Sequence, residues 1–180
     1  MPTQLIVTPK FLTMEMANRA IDFAVTSVME SPALQGFLHP KRNDLHVVVL
    51  VPGVIQNIGE LVFPDRSNSN MSAVVLTEKS FGDEDKFEHP YAEIALSKGL
   101  QLWTDRNYDG RTDCVPHLLF VGDTPYWGGV KRNGLVVACS GVQPWIDRLI
   151  SGIVLDTLTT MAYQAWHDSE DRACGESFLT

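Results

Sequence analysis

Three stretches of the sequence repeat apolar residues at spacings of three and four, which is the pattern of an amphipathic helix. The first covers residues 13–29, and Thr13 is placed to cap it. The second covers residues 91–103, and the third covers residues 144–166 with Pro144 in its first turn. The sequence therefore predicts three helices, each of which buries one face.

Short runs rich in β-branched residues lie between these helices and predict strands. The run 45–51 ends at Pro52-Gly53, which predicts a buried strand followed by a turn, with residues 59–63 as its returning hairpin partner. Residues 118–121 predict a further short strand. The apolar run within residues 71–80 fits either a strand or a helix.

The clearest turn signal is Asn133-Gly134, which lies between two strand-like arms within residues 129–140. Both residues tolerate a positive φ, so this pair predicts a two-residue hairpin. No linker or repeat divides the chain. We therefore expect one α/β (α+β) domain over residues 1–180, with a mainly antiparallel sheet flanked by helices and a frayed tail after residue 168.

The chain has 180 residues, a formal net charge of −8 and no cluster of Lys or Arg. A nucleic-acid partner is not expected, because phosphate backbones are bound by concentrated positive charge. The longest apolar stretch, residues 47–51, is far too short to cross a bilayer, and the first residues show no secretory leader. The sequence therefore predicts a cytoplasmic protein with no membrane partner.

The three cysteines, Cys114, Cys139 and Cys174, are odd in number and lack a C-x-x-C spacing. This disfavours a disulfide framework and a four-ligand zinc site, so we expect reduced thiols. Cys139 lies in the apolar run 135–139 and is expected to be a small core residue.

Several strings along the chain occur in a recognisable order. They are the opening helix at 12–21, the strand at 46–51, Asp65-Arg66, Ala95-Leu96-Ser97-Lys98-Gly99, Gly128-Gly129-Val130, and the hairpin that runs into Ser140-Gly141-Val142 with Asp147 beyond. In this order and at this spacing they resemble the GlcG/HbpS-like family, which includes the C-terminal domain of PduO-type proteins. The resemblance covers most of residues 11–166.

The resemblance implies a profilin-like α/β sandwich that forms a homo-oligomer, and some members of the family bind haem or are linked to corrinoid and redox metabolism. This chain departs from the family pattern at residues 69–90, which we expect to be an insertion, and at Val130-Lys131, where the family usually has Val-Pro. It also lacks a histidine in the first helix, where some members have a plausible haem ligand. If haem binds here, His89 or His117 is the expected axial donor.

The strongest candidates for ligand binding lie at Tyr126-Trp127-Gly128-Gly129 and at Lys98. Glycines permit close backbone approach and expose amides that can hold an anionic group, although a tight turn explains the same pair. Tyr126 and Trp127 could form an apolar wall for a flat ligand or belong to the core. By the resemblance, Lys98 would pair with a propionate, carboxylate or phosphate, and an exposed helix lysine is its alternative.

Two acidic segments are candidates for metal binding. Asp105, Asn107 and Asp109 have the spacing of a calcium loop, but the glutamate that completes such a loop is missing, so a surface turn is the alternative. Asp85 and Glu88 resemble the acidic pairs that bind iron in some family members, and a solvated acidic loop explains the same letters.

The sequence contains no nucleophile elbow, Walker A loop or dinucleotide fingerprint. Acid–base chemistry by His117, Asp123 or Lys98 is the catalysis that it leaves open. We expect a protein that binds a small ligand, which could be haem, another tetrapyrrole or a small anionic metabolite. The alternatives are an enzyme of aromatic or organic acid catabolism and a non-catalytic subunit of a larger assembly.

Overall fold

The computed structural model describes residues 4–38, 44–57, 71–107 and 115–174 of the chain. In order, the strands and α-helices of this part are β1 (Gln4–Val7), α1 (Met14–Met29), β2 (Leu45–Asn57), β3 (Ser72–Phe81), α2 (Tyr91–Trp103), β4 (Gly129–Arg132), β5 (Leu135–Ser140), α3 (Pro144–His167) and α4 (Glu170–Ala173). Two short 3₁₀ helices, Glu84–Lys86 and Pro116–Leu118, flank α2.

The three predicted helices are confirmed almost to the residue. Helix α1 is capped as expected, since the hydroxyl of Thr13 accepts a hydrogen bond of 3.2 Å from the backbone N–H of Met16. Helix α2 has the predicted bounds, and α3 extends one residue further than predicted, to His167.

Strand β2 is the central strand of an antiparallel sheet of five strands in the described part of the chain, and it pairs with β1, β3 and β5. Val48 shows the arrangement, because it pairs with Glu78 of β3 and with Ala138 of β5. Strand β1 pairs with the last four residues of β2, and β4 pairs with β5. Asn133 and Gly134 connect β4 to β5 with φ values of 53° and 77°, which confirms the predicted hairpin turn.

Helices cover both faces of the sheet. Successive side chains of β2 point to opposite sides, so the strand presents apolar residues to the helices on each face. Val47 and Val49 belong to the core that α1 and α3 share with the sheet, while Val48 and Leu50 pack against α2. The predicted α+β class, with helices packed on an antiparallel sheet, is confirmed. Cys139 is a buried core residue, as expected.

The turn predicted at Pro52-Gly53 is wrong, because β2 continues through both residues and pairs there with the start of β3. A Cβ atom on Gly53 would lie 2.3 Å from Cγ2 of Val74, so the glycine serves the close approach of two strands. The ambiguous segment 71–80 forms β3, which lies within the expected insertion at 69–90. The predicted hairpin partner at 59–63, Asp65-Arg66 and Cys114 lie outside the described residues.

The strand predicted at 118–121 is also wrong. Pro116 begins a 3₁₀ turn, in which the backbone N–H of Leu118 donates to the carbonyl of Val115 at 2.8 Å. The amide of Leu119 donates to the carbonyl of Pro116 at 3.3 Å, and the amide of Phe120 donates to a carboxylate oxygen of Asp123 rather than to a neighbouring strand. These local hydrogen bonds replace a strand ladder.

The tail after residue 168 was expected to fray, yet it forms one further helical turn, α4. Ser169 caps this turn, and Lys10 holds it through an ion pair of 2.5 Å with Asp171. Residues 175–180 lie outside the described part. None of the helices in the described ranges is long and apolar enough to cross a membrane.

Candidate functional site

A pocket of about 150 Å³ lies where α2 and the first turn of α3 meet the end of β5. The wall is formed by the segment that enters α2, by α2 itself, by the loop before β4, and by the stretch from the end of β5 into the first turn of α3. The lining residues are His89, Tyr91, Ile94, Lys98, Tyr126, Ser140, Gly141, Val142, Pro144 and Asp147. Most of the exposed surface of this wall is apolar, and a few polar groups interrupt it.

Lys98 reaches the pocket from α2 and is almost completely buried, with 2% of the residue exposed. Its ammonium group donates to the carbonyl of Cys139 at 2.8 Å and to Oδ2 of Asp147 at 3.1 Å. The alternative of an exposed helix lysine is therefore wrong. Lys98 pairs with a carboxylate of the protein itself, so the charge expected to meet a ligand is already balanced.

Asp147 lies in the first turn of α3 and is 3% exposed. Its Oδ1 accepts a hydrogen bond of 3.1 Å from the backbone N–H of Val142 and lies 3.8 Å from Sγ of Cys139. Burial raises the pKa of Asp147, although the charge and hydrogen bond of Lys98 act in the opposite direction. The two residues thus form a buried ion pair in the wall of the pocket.

Burial also raises the pKa of the Cys139 thiol well above its usual range, and the charge of Asp147 adds to this shift. The thiol is therefore protonated near neutral pH. A protonated thiol is a poor nucleophile, so Cys139 acts as a core residue next to the pocket.

Ser140 contributes a second polar group to the pocket. It ends β5 and is 4% exposed, and its hydroxyl makes no hydrogen bond to any residue that the structure describes. Since Ser140 lines the pocket, its hydroxyl can serve as donor or acceptor to a bound molecule.

His89 and Tyr126 stand at the rim, and both are exposed. The His89 ring lies edge-on to the ring of Tyr91, with 6.0 Å between the ring centroids. Of the sequence candidates, the structure therefore brings Lys98, Tyr126 and His89 to one pocket. Trp127 is half-buried and does not line it.

Gly128 and Gly129 do not line the pocket, and both are used in packing. A Cβ atom on Gly128, whose φ is +136°, would lie 2.6 Å from Cβ of Asp147. A Cβ atom on Gly129 would lie 2.5 Å from Cδ1 of Leu102 and 3.0 Å from the carbonyl oxygen of Val137. The two glycines let β4 approach both helices, which supports the reading of this pair as a tight connection.

The remaining acid–base candidates lie outside the pocket lining. Asp123 forms an ion pair with Arg106, and hydrogen bonding to this guanidinium lowers the pKa of Asp123. The same carboxylate accepts from the N–H of Phe120 at 2.8 Å, so it fastens the loop before β4. His117 is exposed in the 3₁₀ turn Pro116–Leu118.

The metal candidates are not gathered into a site in the described residues. Asp105 is paired with Lys131, whose Nζ lies 2.7 Å from its Oδ1, and Asn107 is buried. Asp85 and Glu88 are both exposed. Within the described ranges, no three His, Cys, Asp or Glu residues lie close enough to hold a metal ion. Asp109 lies outside those ranges.

Sequence reasoning did not identify Asp147 or Ser140 as site residues. Both residues belong to the strings that carry the family resemblance, but an acidic residue in the first turn of a helix is also expected from the helix dipole alone, so Asp147 was given no role at the site. Ser140 directly follows an apolar run and reads locally as the end of a strand. Only the tertiary fold brings them to Lys98, which is 49 residues from Asp147 in the sequence.

Comparison of this chain with models of protein families, with curated proteins and with solved structures finds no match. A fold alone does not identify a function, so the chemistry of the pocket is what indicates one for this chain.

Proposed function

We propose that this chain is a small-ligand-binding protein of the GlcG/HbpS type that its sequence resembles, and that the pocket between α2 and α3 is its binding site. The observation that carries the proposal is the buried Lys98–Asp147 pair in the wall of a mostly apolar pocket. Burying two charges costs several kcal/mol per ion, of the order that their attraction returns. A few polar groups in an apolar pocket are also the usual composition of a ligand site.

The size of the pocket restricts the ligand to a small organic molecule. A cavity of about 150 Å³ holds a molecule of roughly the size of benzene, whereas pockets for drug-sized ligands have about 300–1,000 Å³. A tetrapyrrole is larger still, so haem does not fit within this pocket. Neither His89, exposed at the rim, nor His117, outside the lining, adds a buried axial ligand.

A pocket-filling substitution tests the proposal. Ile94→Trp places a larger ring on a wall residue, and Leu100→Trp makes the same kind of change on an exposed residue of the same helix outside the pocket. The probes are benzamide, benzoate and benzylamine. Binding of each probe is measured from the NMR shifts of the backbone amides of Ser140 and Val142. We expect at least one probe to shift these amides saturably in the parent and in Leu100→Trp, and none in Ile94→Trp. No saturable shift with any probe would refute the proposal.

Catalysis is the second candidate function, because the pKa of Asp147 is raised by burial beside a lysine in a pocket. Perturbed carboxylates of this kind are frequent in active sites, where they move protons. A catalytic pocket would convert its ligand, whereas a binding pocket would release it unchanged. Mass spectrometry of a bound molecule after long incubation distinguishes these two outcomes.

The homo-oligomer remains a proposal that rests on the resemblance and on one apolar patch. Trp145 and Leu149 lie one turn apart on α3, and 57% and 39% of these residues are exposed. Neighbouring exposed apolar side chains on one helix can form part of a protein–protein contact. A cytoplasmic location is likewise proposed, and the free thiols of Cys139 and Cys174 support it because disulfides are rare in that compartment.

A further inference from the structure

We infer that the pocket selects an uncharged ligand that carries a carbonyl oxygen, such as a small amide, ketone or aldehyde. This inference rests on the proposed binding function and adds the chemical class of the ligand. It differs from the expectation of an anionic ligand held by Lys98. The charges of Lys98 and Asp147 are balanced by each other, while some hydrogen-bonding groups of the pocket have no partner among the described residues.

The charges of the pocket cancel within the protein. Of the ten described residues that line it, Lys98 and Asp147 form an ion pair, and His89 lies at the exposed rim. Nζ of Lys98 and Oδ2 of Asp147 are 3.1 Å apart. A carboxylate ligand close enough to bond Lys98 would also lie close to the carboxylate of Asp147, and an ammonium ligand would meet Lys98. Either charged ligand therefore loses its own hydration and gains no net opposite charge.

The hydrogen bonds that remain suit a carbonyl oxygen. Lys98 has three N–H donors, and two of them are used by Cys139 and Asp147. No described residue uses the third, and none uses the hydroxyl of Ser140. A carbonyl oxygen has two lone pairs and can accept from both groups at once.

The rest of the wall suits a small apolar body attached to that carbonyl. Ile94, Val142 and Pro144 present aliphatic surface, and Tyr91 adds an aromatic ring. The available volume accommodates an aromatic ring of the size of benzene. An aromatic or branched aliphatic amide therefore satisfies the polar and the apolar parts of the pocket together.

Three probes of nearly the same shape separate charge from size: benzamide is neutral, benzoate is an anion and benzylamine is a cation. Titration at pH 7, followed by NMR shifts of the amides of Ser140 and Val142, gives the three dissociation constants. We expect benzamide to bind at least ten times more tightly than either charged probe. Equal or tighter binding of benzoate or benzylamine at the pocket would overturn the inference and leave the proposed function standing. If no probe binds at the pocket, the proposed function fails.

The variant Asp147→Asn tests the role of the charge balance directly. Among the described residues it leaves Lys98 as the one full charge facing the pocket interior, so benzoate should gain at least ten-fold in affinity and overtake benzamide. Asp156→Asn is the matched control, because Asp156 pairs with Arg132 at an exposed position outside this pocket. An unchanged preference for benzamide in Asp147→Asn would overturn the inference.

The variant Ser140→Ala provides a test that does not disturb the ion pair. It removes one neutral hydrogen bond, so the affinity for benzamide should fall by about 3–10-fold. Circular dichroism establishes that the variant is folded. An affinity for benzamide equal to that of the parent would show that the hydroxyl of Ser140 is not used, and would overturn the assignment of the carbonyl.

Discussion

Replacing Lys98 by methionine removes a buried charge while it keeps the apolar stem of the side chain. The side chains of Lys98 and Asp147 are 2% and 4% exposed, so the change leaves a carboxylate that is buried without its counter-ion. Breaking a buried pair in this way costs about 3–5 kcal/mol. For a chain of this length we expect the melting temperature to fall by about 6–20 °C.

The cost should depend on pH, and its sign follows from the pKa of Asp147. Burial raises this pKa, and Lys98 opposes the shift, so the pKa rises further when Lys98 is removed. A carboxyl group whose pKa is higher in the folded state binds its proton more tightly there. The free energy of unfolding therefore falls as the pH rises from the ordinary carboxyl range through the raised value. We expect the cost of Lys98→Met to be largest at neutral pH and to shrink on acidification.

Urea denaturation at pH 7 and pH 5 measures both effects. The matched control is Lys79→Met, because Lys79 pairs with Asp22 where the two side chains are 38% and 52% exposed. An exposed pair contributes about 0–1 kcal/mol, so the control should change little at either pH. The reasoning is refuted if Lys98→Met costs no more than Lys79→Met at pH 7, or if its cost grows as the pH falls.

Four further predictions test separate parts of the account. Gly129→Val should lower stability by about 1–3 kcal/mol, because the valine side chain would collide with Leu102 and β5. The affinity for benzamide should persist. Loss of this affinity at unchanged stability would show that Gly129 contacts the ligand. Asp123→Asn should cost about 1–3 kcal/mol at neutral pH. This cost should vanish in acid, because the lowered pKa of Asp123 adds stability that is lost as the pH falls through that pKa. A cost that persists in acid would show that the charge of Asp123 is not what stabilises the protein. Haemin should show no saturable Soret shift with the protein, whereas a shift of one-to-one stoichiometry would show that haem binds. Light scattering should return a multiple of 20.0 kDa that falls in Trp145→Lys, and a mass of one chain for the parent would exclude the homo-oligomer.

The elements that the sequence predicted well are those whose signals are local. Helix α2 was placed to the residue because its apolar spacing is regular, and Asn133-Gly134 marked the hairpin because few residue pairs accept two positive φ values. Pro52-Gly53 was misread as a turn because its role is set by Val74 on another strand. The apolar run at 118–121 was misread because Pro116 and Asp123 supply local hydrogen-bonding alternatives to a ladder.

The site was harder to predict than the fold, because it is assembled from distant segments. Lys98 entered as a candidate through the family resemblance, but its partner Asp147 belongs to another helix and no local pattern connects them. Gly128 and Gly129 had the residue types of an anion-binding loop, and only the space around them shows that they serve packing. The sequence of a glycine pair is the same whether the pair binds an anion or allows close packing.

The central claim is that a small molecule binds between α2 and the start of α3, against the Lys98–Asp147 pair. A crystal structure of the protein with saturating benzamide tests it most directly. The account predicts benzamide in this pocket, with its carbonyl oxygen about 2.7–3.2 Å from Nζ of Lys98 and its ring against Ile94 and Val142. A pocket that stays empty under these conditions, or benzamide ordered at another surface, would contradict it.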